Sequence, residues 1–175
     1  DVCSSDLILQ VNIRADIASW NERGGSLSAG IPMCADSRLY VATDVRRSDG
    51  DYPFAYSNFG STSQFRRSNA DYQSANAMIA FSHNDTSVST TTRVLVRSGD
   101  RGAPDAVTQG NIGNASARLR DESMLFLHTA TLHFNTMEIR WNVFANVQSQ
   151  QFSDTSTSLL GVPFRQRFFS RDAGG

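Results

Sequence analysis

Lysine is absent from this chain, and all 16 basic side chains are arginine. Either a GC-rich coding sequence or a demand for planar guanidinium forks produces that bias, and composition does not choose between them. Cysteine is nearly absent too. Of the two present, Cys3 falls in Asp1-Val2-Cys3-Ser4-Ser5-Asp6-Leu7, which reads as the in-frame translation of a short-read sequencing adaptor and is set aside as a scar (residues 1–7). Cys34 alone makes no internal disulfide, so no disulfide-rich secreted framework is expected. No run approaches the roughly 20 apolar residues of a helical membrane span, and no membrane insertion is expected. The formal net charge is −1, which leaves no global field to attract nucleic acid.

Catalytic and metal-binding patterns are missing as well. With His83, His128 and His133, one remaining cysteine and no His-Glu-x-x-His pattern, neither a metal centre nor any other cofactor is expected. His128 and His133 lie five apart, so a regular strand puts them on opposite faces. The nearest approach to a Gly-x-Ser-x-Gly nucleophile elbow, Gly24-Gly25-Ser26-Leu27-Ser28-Ala29-Gly30, misses the spacing. Asp121 and Glu122 are adjacent and diverge on a strand, which spoils them as an acid/base couple. Ser48-Asp49-Gly50-Asp51 clusters oxygens that suit calcium, but Asp-Gly is first a turn signal. A non-enzymatic protein is therefore expected.

What the chain does have is alternation. In residues 8–14, Leu9, Val11 and Ile13 share one face, while Gln10, Asn12 and Arg14 share the other. Residues 38–45, 77–83 and 91–97 repeat the pattern. Residues 117–128 begin with helix-tolerant residues and end in Met124-Leu125-Phe126-Leu127, which argues for a buried strand end. Leu132 and Phe134 have one parity, whereas Met137, Ile139, Trp141, Val143 and Val147 have the other. A one-residue slip reverses every side chain, so a bulge or tight turn is placed at Asn135-Thr136, and Trp141 is expected in the core. Turn-rich stretches are expected at 21–32, 48–51 and 99–113. Several short strands punctuated in this way read as an antiparallel sandwich or barrel.

The order of segments resembles the β-sandwich head domains of tailed-bacteriophage tail fibres and neck appendages. It is carried by Ile8-Leu9-Gln10-Val11-Asn12-Ile13, by Ala35-Asp36-Ser37-Arg38-Leu39-Tyr40-Val41, by the strand–link–strand of 78–97, and by Thr131-Leu132-His133-Phe134-Asn135-Thr136-Met137-Glu138-Ile139. The family's arginine before Asp-Ser is Ala35 here, and a long extension follows Ile139. The resemblance implies an all-β, antiparallel jelly-roll-like β-sandwich over residues 8–147. Residues 148–175 follow as a polar tail or as the start of a second such domain, opening at Phe152. It further implies a homotrimeric virion module that binds a bacterial surface glycan or protein. The alternative is a secreted carbohydrate-binding or adhesion module of a cellular protein. The candidate binding residues are Arg46, Arg47, Tyr52, Tyr56, Arg66 and Arg67, which interleave guanidinium and aromatic groups. The plainer account of that segment is a strand pair with its aromatics packed and its arginines in water.

Overall fold

A computed structural model describes residues 8–103, 116–155 and 164–175, and in it the chain is all-β and antiparallel, as alternation implied. The strands are β1 (Gln10–Ala18), β2 (Glu22–Cys34), β3 (Ser37–Ser48), β4 (Pro53–Asn58), β5 (Ser61–Arg66), β6 (Tyr72–Asn84), β7 (Val88–Gly102), β8 (Arg118–Phe134), β9 (Met137–Asp154) and β10 (Phe164–Gly174). They form two sheets, one of eight strands in the order β1-β2-β3-β6-β7-β8-β9-β10 and one made of the β4–β5 hairpin. Each strand of the large sheet thus pairs with its neighbour along the chain once the hairpin is set aside. β1 and β10 are its two edges.

The Asn135-Thr136 phase change is a two-residue turn with Asn135 at φ 46°, a left-handed geometry that asparagine tolerates. β8 is strand throughout, because its helix-tolerant start pairs with β7 on one side and β9 on the other. β9 runs unbroken through 147/148 to Asp154, and β10 pairs back onto it, so residues 148–154 and 164–174 belong to the large sheet. The glycine-rich stretch 21–32, expected to be a turn, is strand β2 from Glu22 onward. Glycine is poor in a strand, but ladders to β1 and β3 hold this one along both edges.

The ends of the large sheet differ. At one end the connections are residues 35–36, 85–87 and 135–136; at the other they are 19–21, 49–71, 103–117 and 155–163. The 85–87 turn is fastened by Asp85, whose Oδ1 accepts the backbone N–H groups of Ser87 (2.6 Å) and Val88 (2.7 Å). These bonds, first Ser87 and then Val88, hold the Asp85 carboxyl below its ordinary range, with His83 adding to the effect. A depressed carboxyl contributes stability above its unfolded value of about 3.9 and loses it as pH falls through the lower folded value. Asp85→Asn is accordingly expected to flatten the acid limb of a stability-versus-pH curve below about pH 4, a range set by that unfolded value; an unchanged limb would contradict this role.

The large sheet is a single layer. Among the described residues only Ala117, Ala130 and Ser48 are buried, at 5%, 4% and 7% exposure. Trp141, expected in a core, keeps 38% of its surface exposed. It shares a face with Ile139 and Val143 as expected, but nothing among the described residues covers that face.

Candidate functional site

Register assigns every side chain of the large sheet to one of two faces, because residues directly opposite one another share a face. On the first face one row reads Ile13, Leu27, Thr43, Ala77, Val96, Met124 and Val147 across seven strands. Toward the short turns the same face continues with Val41, Ile79, Val94 and Phe126, then Leu39, Phe81 and Val143, then Phe134 and Met137 at the turn itself. This apolar band is open, with Ile13 79%, Ile79 53% and Phe134 52% exposed. His128 lies within it, hydrogen-bonded through Nδ1 to Thr92 Oγ1 at 2.9 Å and tilted against Trp141. His133 lies on the other face, as its spacing required.

From Met137 to Val147 is ten residue steps, about 33 Å along a strand at about 3.3 Å per residue. Were the strands tilted by about 40°, as in a closed barrel, that length would rise about 25 Å. Beyond the band, toward the long connections, the same face turns polar. Four positions past the Leu27 row, the paired residues are Ile17 on β1 and then Arg23, Arg47, Gln73, Asp100, Arg120, Gln151 and Arg167.

The second face is polar over much of its area. Arg14 Nε donates to Asp16 Oδ1 (2.7 Å), Arg46 reaches Asp16 (3.8 Å) and Asp44 (3.4 Å), Asn76 Nδ2 donates to Asp44 (2.9 Å), and Arg97 Nε donates to Asn76 Oδ1 (3.3 Å). The ladder spans β1 to β7. It crosses β2 at Gly24, where an added Cβ would stand 2.5 Å from Asp16 Oδ2. Glycine leaves room there for the Asp16 carboxylate, which a larger residue would have to displace. The two nearest carboxylates, Asp44 first, hold the Arg46 guanidinium more firmly protonated than usual. Such exposed pairs contribute little stability individually, roughly 0–1 kcal/mol, but they set the character of the face.

At the long-connection end the strand-to-strand links are tied together. Trp20 O accepts from Asp49 N (3.2 Å) and Ser48 Oγ (3.2 Å), and Asn21 Nδ2 donates to Asp49 Oδ2 (2.7 Å). Asn69 Nδ2 donates to the carbonyls of Ala103 (3.2 Å) and Ala117 (2.7 Å), and Arg118 bridges Asp71 (2.9 Å) and Asp100 (2.5 Å). Those two carboxylates, Asp71 ahead of Asp100, keep the guanidinium charged. Tyr72 Oη donates to Glu22 at 2.8 Å; burial first, then that carboxylate, pushes the phenol up.

The structure disperses the six binding residues read from the sequence. Arg46 lies in the charge ladder on the polar face, while its neighbour Arg47 points to the other face toward Asp49 (3.7 Å). Tyr52 packs edge-on against Trp20 with ring centroids 5.8 Å apart. Tyr56 sits on β4 opposite Ser63, Arg66 pairs with Asp51 at 2.6 Å, and Arg67 lies 5.8 Å from the Phe54 ring. Phe54 and Phe65 form a cross-strand pair 5.9 Å apart on the β4–β5 hairpin, whereas Phe59, expected to pack with them, is 98% exposed. Asp44, Asp49 and Asp51 each turn to a different arginine, and among the described residues no three potential metal ligands gather. Residues 1–7, read from the sequence as a scar, lie outside the described residues.

The chain matches no family model and no curated protein. What the protein does must therefore be argued from its two faces and two ends. Sequence reasoning found the alternation but missed the arginine row, whose members come from four strands and are aligned only by register.

Proposed function

We propose that the large sheet forms the wall of a membrane-spanning β-barrel of the outer-membrane type, with its polar face lining a water-filled interior and serving passage of polar solutes. One observation carries this reading: an apolar band runs ten residue steps along β9 on one face, while the other face carries the arginine–carboxylate ladder and a smaller apolar patch at Ala42, Met78, Leu95 and Leu125, on a meander whose connections at one end are two or three residues and at the other include the long links 49–71, 103–117 and 155–163. Transmembrane barrels combine an outward apolar band, a polar interior, short turns on one side and longer loops on the other. A strand crosses the hydrocarbon core with about 9–11 tilted residues, and the eight strands here run from 9 to 18. Among the described residues no helix is long and apolar enough to cross a membrane. The expectation of no insertion rested on that helical criterion, which strands escape because their apolar residues alternate with polar ones. A water-soluble single layer would leave the band wetted on both strand edges and across its face, a poor arrangement for a sheet of this size. In lipid, both edges must be paired, with each other or with further strands.

The test is lipid contact by Trp141. Purified protein folded into phosphatidylcholine vesicles is expected to show blue-shifted Trp141 emission in a Trp20→Phe background, quenched strongly by brominated acyl chains and weakly by aqueous iodide. Strong iodide quenching with no bromine effect would sink the barrel reading.

A second reading is favoured by the separate β4–β5 sheet at the long-connection end, with Tyr52, Tyr56 and Arg66 on or beside it. It is the non-enzymatic, homotrimeric attachment module of a virion, binding a bacterial surface glycan or protein. That reading requires a detergent-free soluble trimer whose cell labelling is lost when Tyr52, Tyr56 and Arg66 are replaced together by Ala. A protein that folds only with detergent or lipid excludes it.

A further inference from the structure

We infer that the arginine row on the apolar face binds the phosphate headgroups of anionic lipids, an inference that rests on the barrel-wall reading above. The row lies where a lipid's headgroup follows its acyl chains, four positions past the mainly apolar Leu27 row, which also holds Thr43 and, on β10, Arg171. Between the two, the same-face residues are mostly small: Gly25, Val45, Ala75 and Ser98, then Glu122 and Ser149. This leaves a groove of about 660 Å³ bordered by Arg23, Arg47, Asp100 and Arg120, and a second of about 240 Å³ bordered by Arg120, Glu122, Gln151 and Arg167. Apolar side chains on one side, guanidinium groups on the other and room between them match an amphiphile lying against the wall.

The charge is of the right sign. Arg23 Nε donates to the neutral Asn21 Oδ1 (2.9 Å), and Arg167 Nε donates to Ser149 Oγ (3.1 Å), so neither of these contacts neutralises its guanidinium. Arg47 and Arg120 have carboxylate neighbours in Asp49 (3.7 Å) and Glu122 (2.7 Å), but their side chains remain 64% and 58% exposed. The one carboxylate within the row, Asp100, is already held by Arg118. Arginine's fork suits phosphate oxygens in pairs and is less strongly hydrated than an ammonium. Basic side chains near a membrane surface attract anionic lipid. A free inorganic anion would use the guanidinium groups but has no use for the adjoining apolar band, which is why the lipid headgroup is the favoured source of the phosphate.

The experiment places a tryptophan in the larger groove by Val45→Trp, with Trp20 and Trp141 replaced by Phe, in vesicles of phosphatidylcholine containing a minor fraction of phosphatidylglycerol. Brominated phosphatidylglycerol is expected to quench the introduced indole several-fold more, per mole present, than brominated phosphatidylcholine. That preference should disappear when Arg23, Arg47, Arg120 and Arg167 are changed together to Gln, and should weaken with added salt. Because the multiple variants risk failing to fold, the ratio of the two lipids carried by unmodified protein through detergent extraction is measured as well, and enrichment in phosphatidylglycerol is expected. Equal quenching and no enrichment, with Trp141 of the Trp20→Phe protein still quenched by lipid, would overturn this inference and leave the barrel reading standing. Loss of the preference on adding millimolar inorganic phosphate, at constant ionic strength, would overturn it in favour of a soluble-anion site. Failure of Trp141 to contact lipid at all is the separate outcome that removes the barrel reading itself.

Discussion

Ile79→Arg is expected to destabilise the lipid-embedded protein by about 2–4 kcal/mol, the cost of an arginine near the middle of a barrel's lipid-facing band. Ile79 lies in that band between Val41 on β3 and Val94 on β7, and its own side chain is already 53% exposed. On a water-soluble protein the same change at so open a position falls within about 0.5 kcal/mol of neutral. The neighbouring Ala80 points to the polar face, so Ala80→Arg is expected to be tolerated where Ile79→Arg is not. Reversible guanidinium unfolding from phosphatidylcholine vesicles measures both. Equal, small effects at the two positions would mean that the apolar face meets water, and the barrel proposal would fall with it.

Gly50→Val should be the most damaging change among the connections, costing roughly 2–5 kcal/mol. Gly50 sits at φ 61°, where an L side chain costs about 1–2 kcal/mol, and an added Cβ would run into the Ala70 carbonyl and the Asp71 amide. Backbone cannot give way as a flexible side chain can, so overpacking adds roughly 1–3 kcal/mol. The same contact fastens the base of the 49–71 connection, where Gly50 N donates to Ser48 Oγ (3.2 Å) and Arg67 N donates to Tyr52 O (2.9 Å). Gly60, at the tip of the β4–β5 hairpin, supplies the control: its φ is 84°, but nothing lies within 4 Å of an added Cβ. Gly60→Ala is therefore expected to cost only the backbone term, about 1–2 kcal/mol. Chemical denaturation gives the two costs, and limited proteolysis of the hairpin reports whether the connection has come loose. A Gly50→Val protein no less stable than Gly60→Ala would show that the close approach to Ala70 is not maintained.

The candidate functional surfaces were partly legible. Val94 and Val96 against Arg93 and Arg97, or Ile139 and Trp141 against Glu138 and Arg140, declare two faces of opposite character before any pairing is known. The Asp49-Gly50 turn was readable from its turn dipeptide and the Asn135-Thr136 turn from the reversal of hydrophobic parity across it; both hold a residue at positive φ, Gly50 and Asn135. Arg46 and Arg47 lie on opposite faces, since adjacent strand residues diverge, and that divergence shows only once both are placed on β3. β2 was unreadable as a strand because Gly24, Gly25 and Gly30 weaken local preference; its neighbours on both sides supply the ladder bonds that overcome it.

By itself, then, the sequence determined that the chain is all-β, where most of its strands lie, and which residues alternate between an apolar and a polar side, because the two-residue period of an extended backbone is a purely local property. It could not determine strand order, since alternation is common to crossed and up-and-down sheets. Nor could it determine which residues stand side by side. Arg23, Arg47, Arg120 and Arg167 are far apart along the chain and become a row only when the pairing registers between their strands agree. The height of the apolar band and the contrast between its short-turn and long-connection ends are likewise sums over many strands, decided by tertiary pairing and by no single segment.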